Sequence, residues 1–412
     1  MKQHLCLLAL AICLLASCHN NSIKEDAASF DLSKVKKVGI PEVYTTGSLN
    51  LFSDSMSIIR IDTTEAIGTI NKLIADEDGY YVLDKTSDNV LRINARGDIL
   101  WDLNGKNSKV RSRKNKVRDF SLRGNRLFVM DEKFNLIILD KATGRPMGGR
   151  MALYNTRYKT LAGNFFVDTA GNFVISDNSK TKSASSPYKI AILDPTAKQV
   201  KGLHYSPPYD NLAWMNEKFP IHPFSDNSGF FYSDALNDTI YSYKDGVFRR
   251  AYVVDFGSKK TPLSMINSGS TLADFSSSKY AGNISQVIDL TDIVSFKFYT
   301  EQKYPVTFID KKTNLSKTFF PLLFDAQPLV IIPNILCGYK NNIYFSIDPQ
   351  QVLDAYASLK KALYQALDKA TYDGILQKKY PLFYKMYNEV AYNSNPMIIS
   401  ALISRNNIFK RG

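Results

Sequence analysis

One stretch of this chain gathers residue types that hold a sugar. Between His204 and Pro223 the rings of Tyr205, Tyr209 and Trp214 are interleaved with Asp210, Asn211 and Asn216. Flat apolar rings cover the faces of a sugar, and short carboxylates and amides hydrogen-bond its hydroxyls. The same composition also suits a connection whose rings pack on a rim. A second chemistry rests on carboxylates, since Asp76, Asp78, Asp168, Asp226 and Asp289 carry the oxygens that bind calcium. Asp78 and Asp226 stand directly beside Gly79 and Asn227, where aspartate forms turns by bonding its own backbone. No metal ligand and no cofactor is therefore assigned, with calcium kept as the competing possibility. No nucleophile elbow, phosphate loop, zinc-protease helix or dinucleotide fingerprint occurs, so no catalytic residue is assigned either. Of the four histidines, His19, His204 and His222 lie beyond the first residues, too few for a histidine-rich metal site. Cys337 lies in an apolar run and reads as a small core residue.

The N-terminus carries an address. Lys2 is followed by an apolar stretch, Leu5 to Leu15, too short to span a bilayer as a stable helix. Leu15-Ala16-Ser17-Cys18 resembles the lipobox of bacterial lipoproteins. That resemblance implies a signal peptide over residues 1–17 and acylation of Cys18, with residues 18–31 as a tether. Several acyl chains give stable anchoring, at about 0.8 kcal/mol per buried methylene. Cys6 and Cys13 would leave with the signal, so Cys337 alone stays as a thiol and no internal disulfide forms.

The formal charge is +13, and the signal would remove only Lys2 from it. Basic clusters occur at Lys34-Val35-Lys36-Lys37 and between Lys106 and Arg118. Outside the cytoplasm these face solvent, anionic lipid or anionic glycan, and no nucleic-acid partner is expected.

These groups need a scaffold, and the chain repeats one. An apolar strand, a Gly or Asn turn and an aromatic-rich strand closing on aspartate recur at Asp84, Asp131, Asp177, Asp234 and Asp348. The period of roughly 40–57 residues in β-type sequence is that of propeller blades. Each unit continues with a third strand, a tight turn such as Asn94-Ala95-Arg96-Gly97, and a fourth strand. The interval from Asp234 to Asp348 is double, which places a degenerate unit near Val287 to Tyr299 and makes six blades. The expected fold is all-β: a six-bladed β-propeller of four-stranded blades over residues 32–412. The strand Met56 to Asp62 closes the last blade against Met397 to Leu402, burying two open edges. Residues 349–390 break the β pattern. Val352, Tyr356, Leu359, Leu363 and Leu367 recur at helical spacing, Gly374 is a candidate helix end, and a second helix is expected from Tyr380.

With Ile67 to Leu73, Asn237 to Gly257 and Asn395-Pro396 in view, the chain resembles the six-bladed β-propeller lipoproteins of Bacteroidetes, similar in fold to NHL-repeat propellers. The resemblance implies a secreted propeller in the cell envelope, lipid-anchored to a bacterial membrane, the outer one, and names no reaction. The expected function is a binding or scaffold module for a glycan, a peptide or an envelope protein. The competing class is a calcium-dependent hydrolase or lyase centred on the channel.

Overall fold

The structure, a computed structural model, describes residues 35–105, 116–153, 164–176, 189–204, 219–234, 237–262, 265, 272–323, 334–390 and 395–410. Six sheets stand around one axis, as the repeat predicts. Blade 1 is β4 (Ile70–Asp76), β5 (Gly79–Asp84), β6 (Asn89–Ile93) and β7 (Ile99–Asp102). Blade 2 holds β8 (Val117–Arg123), β9 (Arg126–Asp131), β10 (Asn135–Asp140) and β11 (Met151–Ala152). Blade 3 holds β12 (Phe165–Val167), β13 (Phe173–Ser176), β14 (Ile190–Leu193) and β15 (Val200–His204). Blade 4 holds β16 (Ile221–Pro223), β17 (Gly229–Tyr232), β18 (Thr239–Lys244) and β19 (Val247–Asp255). Blade 5 holds β20 (Ala281–Asp289), β21 (Ile293–Thr300), β22 (Val306–Asp310) and β23 (Ser316–Leu323). Blade 6 takes β24 (Asn334–Tyr339), β25 (Asn342–Ile347) and β26 (Met397–Ile403), and its fourth strand is β3 (Ser53–Arg60).

The closure follows the expected pairing. Strand β3 pairs antiparallel with β26, from Met397 opposite Arg60 to Leu402 opposite Ser55. The chain before it was not legible as structure. Strand β1 (Lys36–Gly39) adds in parallel to β19, and β2 (Thr45–Ser48) adds in parallel to β23. The N-terminal segment thus wraps the rim across blades 4, 5 and 6 in succession.

Side-chain alternation explains why the strands read as continuous apolar runs. Successive residues point to opposite faces, and each face meets another blade. Tyr81 and Leu83 join Phe120 and Val129 of blade 2, whereas Tyr80 and Val82 join Tyr344 and Ile398 of blade 6. Every neighbouring pair of blades shares such a cluster. Burial contributes about 25 cal/mol per Å² of apolar surface, so this all-round packing is the main term holding the ring. Gly97 seals one joint. It has φ 97°, its carbonyl accepts from Asp62 N–H at 2.9 Å, and a Cβ there would lie 1.5 Å from the Arg60 carbonyl.

Two of the recurring aspartates are turn formers, and Asp177 lies outside the described residues. Asp84 accepts from the N–H groups of Gly68, Thr69 and Thr86 and from the Ser87 hydroxyl at 2.7–3.2 Å. Asp131 accepts from the backbone of Lys133 and Asn135. Asp348 instead caps a helix, accepting from Gln350 N–H at 2.7 Å, with Gln351 closing the capping box.

The insertion in blade 6 is three helices: Pro349–Leu363, Lys369–Lys379 and Pro381–Val390. The expected first helix is broken before Asp368, which caps the second through Thr371 N–H. Gly374 is not an end. It sits inside the second helix on an exposed side with open space where a Cβ would be, so it costs about 1 kcal/mol without stopping the helix. Val352, Leu359, Tyr372, Leu376, Phe383 and Met386 pack this insertion onto the core shared by blades 5 and 6.

Candidate binding site in the propeller channel

All inner strands run the same way, so the two faces of the ring differ. Inner strands begin at Ile70, Val117, Phe165, Ile221, Ala281 and Asn334. On that entry face the chain makes its long connections, after Asp102, Ala152, Ser176, His204, Asp255, Leu323 and Ile347. The opposite face is built of shorter turns, such as those after Asp76, Arg123, Lys244 and Tyr339. Tyr205, Tyr209, Asp210, Asn211, Trp214 and Asn216 fall in the connection from His204 to Phe219 and lie outside the described residues, as does Cys18. The ends of that connection stand on the entry face. His204 packs on Phe248 with ring centroids 5.5 Å apart.

The carboxylates considered for calcium sit on separate turns of the opposite face and are already held. Lys141 Nζ reaches Asp76 at 2.8 Å and Asp78 at 3.2 Å. Asp168 accepts from the Tyr243 hydroxyl at 2.8 Å and from the Asn172 side chain. Asp226 accepts from Ser228 N–H, and Asp289 pairs with Lys311 at 2.7 Å. Among the described residues no three His, Cys, Asp or Glu side chains are grouped to hold a metal.

The channel itself holds a cavity of about 350 Å³, walled by the inner strands of blades 1, 4, 5 and 6. This is within the range of small-molecule sites, roughly 300–1,000 Å³. Phe219 bounds it. It enters from blade 4 yet packs against the apolar cluster of blades 1 and 2, so its ring crosses the channel. Phe224 forms a second ring in the wall, edge-on to Phe231 at 4.8 Å.

Bulges aim the polar wall. Strand β20 shifts register twice, between Gly282 and Ser285 and between Ser285 and Ile288, and Asn283 and Gln286 have φ of 52° and 49°. Strands β4 and β24 carry bulges beside Lys72 and Cys337. A bulge re-aims side chains and is costly for a non-glycine residue at positive φ. Across the joint between blades 5 and 6, Gln286 Nε2 donates to Asn334 Oδ1 at 3.0 Å, and Asn334 Nδ2 donates to Ser346 Oγ at 3.3 Å.

Charge in the wall is consumed inside the protein. Lys72 donates to Asp119 and to the Phe120 carbonyl, both at 2.7 Å, and the other Asp119 oxygen accepts from Phe165 N–H at 2.9 Å. These bonds tie blades 1, 2 and 3. His222 is buried and pairs with Ser233 Oγ at 3.3 Å. The other polar lining residues are neutral: Asn71, Ser225, Ser285, Gln286 and Asn334 among them. No carboxylate is among the described lining residues. Cys337 also lines the wall, but burial pushes its thiol up to about 12, so it is no nucleophile at neutral pH. The cavity can therefore offer amide and hydroxyl hydrogen bonds beside two phenyl rings.

None of these channel residues except His222 and Cys337 stood out in the sequence. A usable signal existed in blade 5, where Asn283, Ser285 and Gln286 interrupt an otherwise apolar inner strand.

The fold and this channel define a six-bladed β-propeller with one elaborated face. No protein-family model matches the chain, and no curated protein matches it. Solved structures do align with the chain. A protein of Bacteroides fragilis whose name marks it as exported aligns with TM-score 0.67 at 12% identity, covering 90% of this chain and all 100% of its own. A member of the DUF4221 family from Bacteroides vulgatus aligns at TM-score 0.49 and 10% identity, over 85% of this chain and 96% of its own. A streptogramin B lyase aligns at TM-score 0.40 and 13% identity, over 71% and 80%. At these identities the likeness is one of fold.

Proposed function

We propose that this protein is a binding module of the cell envelope, anchored through lipid on Cys18, that takes a neutral glycan into the channel from the entry face. The carrying observation is the cavity of about 350 Å³, in which phenyl rings stand beside neutral amides and hydroxyls with no carboxylate among the described lining residues. Rings and amides match the faces and hydroxyls of a sugar. Tyr205, Tyr209, Asp210, Asn211, Trp214 and Asn216 belong to the connection between β15 and β16 and carry the residue types that would take part in holding a glycan. The export named for the Bacteroides fragilis protein agrees with the leader read in this sequence. Acylation of Cys18 is tested by metabolic labelling, where label persisting in Cys18→Ala removes the anchor from this reading. Ligand class is tested on a glycan array with the wild type and Gln286→Ala/Asn334→Ala. Retention of a neutral glycan by the wild type and its loss in the variant is expected. Capture of acidic glycans alone, or equal capture by both proteins, overturns the assignment.

A further inference from the structure

Several elements meet at the rim where the described chain begins. Lys36 Nζ donates to the Lys311 carbonyl at 3.2 Å, and the Ser316 hydroxyl donates to the Gly39 carbonyl at 3.0 Å. These contacts bring β1 beside the turn 311–315 of blade 5. Lys317 Nζ in turn donates to the Lys410 carbonyl at 3.0 Å, which brings the C-terminal helix Arg405–Phe409 to the same turn. The short helix Leu49–Phe52 packs on that C-terminal helix, with Ser404 N–H donating to the Phe52 carbonyl at 2.8 Å. One contiguous patch therefore collects Lys36, Lys312, Lys317 and Lys410. Leu315 and Leu51 lie within it at 60% and 67% exposure. Two exposed aliphatic side chains thus stand among ammonium groups.

The acidic groups beside the patch leave it cationic. Asp310 is buried and bonded to Arg405, and Asp289 is paired with Lys311, which leaves the exposed Asp54 and Asp292 as two carboxylates against the four lysines.

We propose that this rim patch docks on an anionic lipid surface, with Leu315 and Leu51 entering the headgroup layer and the lysines pairing with lipid phosphates. Two observations commit it to that occupant. The first is charge: basic residues near an anionic leaflet gain attraction that falls off within a Debye length. The second is chain position. Residues 1–34 join the patch directly at Val35, so a lipid on Cys18 would place this rim next to the membrane. The stretch from Cys18 to Val35 spans at most about 60 Å when fully extended, so the anchor would keep this rim within that reach of the bilayer. The second argument rests on the anchor proposed above, whereas the first stands without it.

The test uses the full chain carrying Cys18→Ala, so that no acyl chain contributes. It is sedimented with phosphatidylcholine vesicles and with vesicles containing one quarter phosphatidylglycerol. Binding to the anionic vesicles should be tighter by on the order of tenfold and should fall steeply with salt. Lys312→Glu/Lys410→Glu should abolish that preference with an unchanged circular dichroism spectrum and melting temperature. The control Lys378→Glu/Lys379→Glu makes the same charge change on exposed residues of the helical insertion and should keep the preference. Equal binding to both vesicle types overturns the proposal, as does equal loss in the two variants, which would mean that net charge alone acts. Leu315→Asp gives a second reading, with unchanged anionic binding counting against insertion. If Cys18 carries no lipid, the anchor fails while this measurement still decides the patch.

Discussion

The side chain of Asn395 holds the backbone of Ile67, some three hundred residues earlier in the chain. Its Oδ1 accepts from Ile67 N–H at 2.9 Å, and its Nδ2 donates to the carbonyls of Asp62 at 2.8 Å and Glu65 at 2.9 Å. The buried amide thus fastens the start of the last strand to the link between the closing strand and blade 1. Asn395→Ala leaves these backbone groups without a partner and should destabilise the ring by about 3 kcal/mol. A urea melt with an unchanged midpoint would show that closure does not depend on this residue.

The pair Lys72–Asp119 should behave differently when one member is lost and when both are. Both side chains are buried, at 8% and 0% exposure. Asp119→Ala strands a buried ammonium and also releases Phe165 N–H, with an expected loss of about 3–5 kcal/mol. Lys72→Met/Asp119→Asn removes both charges together and should cost clearly less than Asp119→Ala. Equal losses would mean that the pairing contributes nothing beyond volume.

Acid should loosen the ring through its aspartates. The Arg405 guanidinium bonded to Asp310 holds that carboxyl well below the usual range, helped by Thr313 and Lys312 N–H. Burial would raise Asp84, but the hydrogen bonds from Ser87, Gly68, Thr69 and Thr86 outweigh it and lower that carboxyl too. A depressed folded-state pKa gives stability that is full above the unfolded value of about 4 and is lost as pH falls towards the folded one. Denaturant midpoints should therefore drop below about pH 4. Asp310→Asn should start lower at pH 7 and show a shallower acid decline. Parallel profiles for the two proteins would reject Asp310 as a source.

Cys337 offers a clean chemical test of the channel wall. With its thiol pushed up to about 12 by burial, iodoacetamide at pH 8 should alkylate it far more slowly in the folded protein than in denaturant. Equal labelling rates in the two states, read by mass spectrometry, would mean that the fold does not hold this thiol in its neutral form.

The fold was legible because its signals are local and repeated. Each blade writes two apolar faces as one unbroken run, and an aspartate such as Asp84 or Asp131 ends its second strand to form the turn. The closing strand showed itself as an unpaired apolar segment, Ile58 to Ile61. Strands β1 and β2 carry no such mark. Four residues on an outer edge, paired in parallel, need no alternation, so Lys36 and Lys37 read only as a basic cluster. The channel was hidden for a different reason. Each inner strand contributes only one or two polar residues, and Ser225, Gln286 and Asn334 become one wall only after the ring closes. Bulges decide which of them point inward, and positive φ at Gln286 cannot be read from residue type.

The most direct test of the glycan-binding account is thermal unfolding of the mature protein against a panel of neutral glycans, with EDTA and with added calcium. The account predicts that one neutral glycan class raises the melting temperature, that Gln286→Ala/Asn334→Ala loses the shift, and that EDTA changes nothing. A melting temperature lowered by EDTA and restored by calcium, or no response to any glycan, would contradict it.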